Sequence, residues 1–381
     1  MTDYPNPLDR SFLMDVIQSR PDERAIRRNY IGQTLLPKKD VFEYELNWDV
    51  MQAENGLAGV YALNGRPVPG SDKLFSQMFA RVQNIMASRI LDPYAIMTIR
   101  DIGTVGVTSR AEKSARTRAM REVRDKIEWC DDRIDSTLEY FVMQAMQGQI
   151  VWPPVDSTGA TITELAPEWG EASFTLVFPF RSTFKQSAST LSGYNARAGG
   201  GAAWDDPASD PMLDLEVISE LIWKTTGLSA RGSTIICSES VWSRMVTNTT
   251  VLARLAATET GIRFLNVGNL KDFLANDLGF KFMPYDAMWT YRTSVDSGDG
   301  PTINSVPFLA DGQVLILPPA EKFGDLAFAP VAGPDGIYEN GKLPYSYTQP
   351  IPPFHSELGI QTIAFPMLTA AGSIFVLDAW S

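Results

Sequence analysis

Residues 111–148, AEKSARTRAMREVRDKIEWCDDRIDSTLEYFVMQAMQG, decide how the rest of the chain is read. Met120, Val123, Ile127, Cys130, Ile134, Leu138, Phe141 and Ala145 recur at spacings of three and four, which lays one apolar stripe along a helix. No Pro or Gly interrupts the run before Gly148, and Pro153-Pro154 follow, so the helix is expected to stop there. At roughly 1.5 Å per residue it would extend about 57 Å, well beyond an ordinary helix. A helix of that length serves as a spine for other elements.

Working outward towards the N-terminus, residues 46–100 predict a long β-excursion. Gly59-Val60-Tyr61-Ala62-Leu63 leads into Asn64-Gly65-Arg66-Pro67-Val68-Pro69-Gly70-Ser71, and the Asn-Gly pair with the Pro/Gly cluster signals a hairpin tip. A hairpin without a helix of its own cannot bury both faces. Residues 1–45 predict an extended arm: a short helix near Phe12–Ile17 is cut by Pro21, and Pro37-Lys38-Lys39-Asp40 is polar and turn-like. An arm with little core needs a neighbour to lie on.

Towards the C-terminus, Phe174–Arg181 predicts a strand and Ala196–Ala203, with three glycines, a flexible loop. Asp210-Pro211 supplies an N-cap and an N1 proline for a helix carrying Leu213, Val217, Leu221 and Ile222, ended by Gly227. Ser233–Cys237 predicts a buried strand, Ser238 caps a helix through Trp242 and Met245, and Asn269 begins another through Leu278. Short strands are expected at Lys281–Met283 and Gln313–Leu317, so this part alternates helix and strand about a sheet. The uncharged run Leu358–Leu377 has the length of a membrane span, but Pro366, Gly372 and its polar residues favour two strands, Ile360–Leu368 and Ser373–Leu377, joined by a turn.

The chain has 381 residues, 44% of them hydrophobic, enough for two or three units with sizeable cores. Its 33 Lys+Arg against 45 Asp+Glu give a formal net charge of −12, which opposes tight binding to nucleic-acid phosphates. Cys130 and Cys237 have no CxxC spacing and sit in apolar contexts, as buried free thiols do. Met1–Pro5 carries neither the basic nor the apolar part of a signal peptide, so none is expected.

The order of elements resembles the Hong Kong ninety-seven-type capsid fold, and the chain is similar to the lambda-type major capsid protein E family of tailed bacteriophages. Four stretches carry the likeness: Glu139–Ile150 at the end of the spine helix; Gly201–Leu215, where Trp204-Asp205-Asp206 leads to Asp210-Pro211; Thr226–Met245; and Phe308–Leu315 with Leu358–Leu377. The resemblance implies an α+β fold with an N-terminal arm (1–45), an E-loop hairpin (46–100), a peripheral domain with long spine helix (101–210), an axial domain (211–340) and return strands of the peripheral domain (341–381). It implies a major capsid protein that self-assembles into the icosahedral head shell of a tailed bacteriophage around double-stranded DNA. It also implies assembly in the host bacterial cytoplasm, pentamers and hexamers of the chain itself, a portal, a scaffold or protease, and a shell that expands on packaging. Lys–Asn crosslinks lock some relatives, but Lys73 is the only lysine between Val41 and Tyr94 here, so a decoration protein is the better expectation.

No catalytic constellation competes with this. His355 is the only histidine and has no GxSxG partner, so it is expected to be structural. Gly336–Lys342 mimics a phosphate loop, but Leu343 stands where Ser or Thr is required and Asn340-Gly341 suits a hairpin turn. Asp296–Gly300 lacks the spacing and closing Glu of a calcium loop, and Asn248-Thr249-Thr250 matches a glycosylation acceptor without secretion to give it meaning. No metal, cofactor or membrane is expected. Arg110, Lys113, Arg116, Arg118, Arg121, Arg124 and Lys126 make an exposed helix face or a surface for a neighbour's acids, with DNA contact a weaker third option given the acidic total. The expected intersubunit residues are therefore Tyr61, Arg66, Pro67 and Pro69 on the hairpin and Arg116, Arg121 and Arg124 on the spine. The alternatives are an encapsulin-like compartment, told apart by protein cargo in place of nucleic acid, and an enzyme using Asp/Glu pairs, for which no spacing stands out.

Overall fold

The computed structural model describes Leu13 and residues 30–51, 75–91, 115–154, 162, 173–191, 203–206, 209–227, 229–258, 279–293, 302–318, 323–332, 338–348 and 356–380. The chain forms two compact units. One contains Met1–Leu46, Ala80–Phe141 and Leu326–Pro366; the other contains Asn47–Phe79, Val142–Asp325 and Met367–Ser381.

The first unit is built on the expected helix, which runs Ala115–Met146. Val123, Ile127, Cys130, Ile134, Leu138 and Phe141 of the predicted stripe are all buried, while Arg121, Arg124 and Asp125 are exposed. Gly148 ends the run at φ +101°, where a side chain would be strained. The sheet orders Lys38–Asp40, Gly324–Ala332, Ser356–Leu368 and Leu343–Thr348, with Gln83–Leu91 also pairing Ser356–Leu368 and Tyr338–Asn340 pairing Gly324–Ala332. Ser356–Leu368 is nearly all buried, as a strand flanked on both edges should be. Its antiparallel partners run Ser356↔Leu91 to Ala364↔Gln83 on one edge and Leu343↔Gln361 to Thr348↔Ser356 on the other.

The second unit centres on a mixed five-stranded sheet, ordered Lys185–Ser187, Phe375–Asp378, Gln313–Leu317, Thr234–Ser238 and Lys281–Tyr285. Helices Pro211–Thr226, Glu239–Thr247 and Thr249–Thr258 belong to the same unit, and Trp204, Leu215, Ile218, Ile235, Trp242, Phe280 and Phe375 share its core. The helix boundaries follow local chemistry. Asp210 accepts the Leu213 N–H at 3.1 Å, Pro211 is the first helical residue, and Gly227 closes the C-terminus in the left-handed region at φ +69°. Ser238 accepts the Val241 N–H at the next helix.

Some expectations need correction. Phe174–Arg181 is a strand only over Phe174–Val177, paired with Gln149–Trp152, because Pro179 lacks the amide that continues a ladder. The two late strands form as expected, over Ser356–Leu368 in the six-stranded sheet and over Phe375–Asp378, which pairs Gln313–Leu317 in the other. Gly324–Ala332 and Tyr338–Asn340 also lie in the six-stranded sheet. The arm is not wholly dependent on a neighbour. Lys38–Asp40 pairs in parallel with Leu326–Phe328, and Leu36 is fully buried. The helix expected from Asn269 and the loops 196–201 and 296–300 lie outside the described residues.

Candidate functional site

The described stem of the expected hairpin is a two-stranded sheet, Glu45–Met51 with Phe75–Arg81, closed at its base by the Val82 N–H on Tyr44 O at 2.9 Å. Trp48 anchors one strand through its indole N–H on Leu368 O at 3.1 Å, and Phe79 is exposed on the other. Tyr61, Arg66, Pro67 and Pro69 lie beyond the described residues of this excursion.

On the spine, Arg116 falls within the long helix, and Arg121 and Arg124 are on its exposed face. Arg124 makes an i,i+4 ion pair with Glu128 at 3.3 Å and Lys126 another with Glu122 at 3.2 Å. These pairs support the helix by a few tenths of a kcal/mol each, about 0.2–0.5. The basic cluster is thus partly balanced by its own helix, a feature the one-dimensional count of cations concealed.

Further along, the same helix holds the arm. Glu139 is fully buried, and its carboxylate accepts N–H bonds from Ile31 and Gly32 at 2.9–3.0 Å, at the start of the one-turn helix Gly32–Leu35. Tyr30 and Ser136 hydroxyls meet at 2.7 Å, and Gln33 donates to Asp135 at 3.0 Å. Lys342 bridges Asp131 and Asp135 at 2.6 Å each. Burial alone would lower the Lys342 ammonium, but the two carboxylates outweigh it and hold it above its ordinary value. Sequence reasoning missed this clasp because its partners are more than 100 residues apart.

At the entry to helix Pro211–Thr226, Trp204 donates its indole N–H to Asp214 at 2.8 Å, both side chains being buried. This explains the Trp204…Asp210-Pro211…Asp214 pattern: the indole is core filler, and the carboxyl is its acceptor. Burial pushes Asp214 up to about 6 against the lowering effect of the indole bond, with Asp210 adding to the rise. Both cysteines are buried, as expected, and burial pushes the Cys130 thiol up to about 12.

Gly341 adopts φ +109°, and a strand, not the helix of a phosphate loop, follows at Leu343–Thr348. The turn is not a simple hairpin, because Tyr338–Asn340 pairs Gly324–Ala332 while Leu343–Thr348 pairs Ser356–Leu368. His355 and Asp296–Gly300 lie outside the described residues. No helix among the described residues is long and apolar enough to cross a membrane.

A spine helix, a two-stranded excursion, a docked arm and an α/β unit together are the architecture of a phage capsid subunit. The structure matches a crystal structure assigned to a prophage capsid protein of E. coli CFT073 over 97% of this chain and 99% of the other, at 13% identity and a TM-score of 0.59. It also matches the mature capsid of bacteriophage PhiM1 over 91% of this chain and 86% of that one, at 13% identity and a TM-score of 0.43. A search of curated proteins finds no match. The model of the phage major capsid protein E family matches residues 12–335, and the chain belongs to that family. Its role is structural: it forms the shell of a phage head, with the fold expected of the Hong Kong ninety-seven type.

Proposed function

We propose that the chain closes an icosahedral shell of pentamers and hexamers around double-stranded DNA, and that its unfinished hairpin is what links one subunit to the next. The observation that carries this is the isolated stem Glu45–Met51 and Phe75–Arg81, which has no third strand among the described residues. A two-stranded hairpin is marginal in water by itself. In this reading Tyr61, Arg66, Pro67 and Pro69 lie over the spine of a neighbouring copy near Arg116, Arg121 and Arg124. On the same reading, residues 101–210 and 341–381 form the peripheral domain, and residues 211–340 form the axial domain that meets its copies around the capsomer centre.

The net charge of −12 suits a lining that surrounds DNA without gripping it. A portal, a scaffold or protease and a decoration protein complete the head, which is assembled in the bacterial cytoplasm. The test replaces residues 59–71 by a short Gly-Ser turn and follows the product by sedimentation and negative-stain microscopy. Folded subunits or capsomers without closed shells are expected; shells of ordinary size would remove the hairpin from the linkage. Nucleic acid inside purified particles, as opposed to a protein cargo, separates a phage head from an encapsulin-like compartment.

A further inference from the structure

Among the described residues, four strands of the six-stranded sheet are paired on one side only, and three of them are blunted by their own sequence. Lys38–Asp40 is three residues long and wholly charged, Tyr338–Asn340 is equally short, and Leu343–Thr348 carries Pro344, which has no N–H to offer. The fourth, Gln83–Leu91, has none of these devices. All nine of its residues pair with Ser356–Leu368, and it contains neither Pro nor Gly. Met86 and Ile90 stand on one face of it, 54% and 59% exposed. Its single charge, Arg89, is folded back onto the spine helix, where the guanidinium lies 3.9 Å from the centre of the Trp129 ring and Arg133 lies 5.1 Å from the same ring. A long edge with apolar side chains and no charge along its open side is a template for another strand.

One contact interrupts that template. Lys126 of the spine helix donates to the Ile90 carbonyl, and Glu122, one turn back, holds the same ammonium at 3.2 Å. Successive residues of a strand turn their N–H and C=O groups to opposite edges, so the Ile90 group shares the open edge with those of Asn84, Met86 and Ser88.

We propose that Lys126 is a guard: its ammonium on Ile90 keeps the open edge of Gln83–Leu91 from pairing with the same strand of a second copy. A second copy is the fitting intruder because the strand complements itself. Paired antiparallel about Ala87, it sets Met86 against Ser88, Asn84 against Ile90 and Arg89 against Ile85, so no like charges meet. With Lys126 in place, the same pairing must strip an ammonium from Ile90 at each end of the ribbon and cover it without that acceptor. This task belongs to the free subunit and is independent of shell building. It also separates Lys126 from Arg121 and Arg124, which point away from the sheet on the exposed face of the helix.

The test uses the full-length chain at a concentration where wild type is a free subunit. Lys126→Met keeps an unbranched apolar stem and removes the ammonium. In sedimentation velocity the variant should associate into dimers and larger species, about tenfold or more tighter than wild type. Hydrogen exchange then locates the contact. Amides of Asn84, Met86, Ser88 and Ile90 should gain about tenfold protection in the associated form, while Ile85, Ala87 and Arg89, which face Ser356–Leu368, do not change. Adding Met86→Lys to Lys126→Met returns a charge to the same edge and sets two ammoniums diagonally across the pairing, so the double variant should be a free subunit again.

A Lys126→Met chain that associates no more than wild type overturns the proposal. So does association without the alternating protection, or association that Met86→Lys leaves in place, because a merely weakened fold gives both of those results.

Discussion

Trp204 and Asp214 stand ten residues apart and meet in the core, where an ionised carboxylate is expensive. The Asp214 carboxyl therefore keeps its proton up to about pH 6 in the folded chain, and releases it near pH 4 when unfolded. Its contribution to stability is complete below about pH 4 and is lost as pH rises through 6, a difference of up to about 3 kcal/mol. Asp214→Asn keeps an acceptor for the indole and removes the charge. Its stability relative to wild type, from urea unfolding, should be near zero at pH 4 and rise to a gain by pH 7; a flat difference would sink the argument. Gly312 is a second such residue. It sits at φ +82°, and a Cβ there would meet the Trp380 indole nitrogen at 2.8 Å. Gly312→Ala should lower unfolding stability by about 1–3 kcal/mol, with Gly341→Ala a milder control because open space surrounds that position. Residue-scale chemistry was only partly legible. Asn248, noted in the sequence as a glycosylation acceptor, is a helix cap: its Oδ1 accepts N–H bonds from Thr250 at 2.9 Å and Val251 at 3.2 Å. The Asn-Thr-Thr letters support either role, and the apolar residues that follow were the overlooked sign of a helix.

Elements whose ends are set by neighbouring residues could be read in advance. The spine helix, the Asp210-Pro211 start and the Gly227 stop needed only a stripe, a cap and a left-handed turn. Elements whose identity depends on distant partners could not. Gly324–Ala332 has no alternation and contains Pro330, yet it pairs with Lys38–Asp40 and supplies buried sheet. Residues 30–40 looked like an arm awaiting a neighbour because nothing within them announces Glu139. That clasp leads to a prediction about the element as a whole. Truncating Glu139 to Ala leaves the Ile31 and Gly32 N–H groups without their acceptor, at about 1–3 kcal/mol for each buried group left unmet. Limited proteolysis of the subunit should then cut within residues 30–41, where wild type resists. Lys342→Met should loosen the same segment through Asp135, which also holds Gln33. Unchanged cleavage in both variants would mean that the arm is held by its strand, not by the clasp.

At the scale of the whole molecule, charge sets a condition on assembly that no single contact reveals. Each copy carries a formal −12, and the cations of the spine are partly engaged by Glu122 and Glu128 on the same helix. Two such subunits with centres on the order of 50 Å apart repel by roughly 12 kcal/mol in unscreened water. At about 10 mM salt the Debye length is near 30 Å and roughly 2 kcal/mol per pair survives; at about 150 mM it is near 8 Å and the term vanishes. Every copy in a shell has several neighbours, so the low-salt penalty is multiplied, while burial of apolar side chains between copies hardly depends on salt. Light scattering of purified subunits should therefore show assembly suppressed near 10 mM salt and restored near 150 mM. If complementary ion pairs, such as Arg121 and Arg124 against a neighbour's acids, dominated the contact instead, salt would slow assembly or dissolve formed shells. The sign of the salt dependence thus decides whether apolar burial or charge pairing holds the shell together.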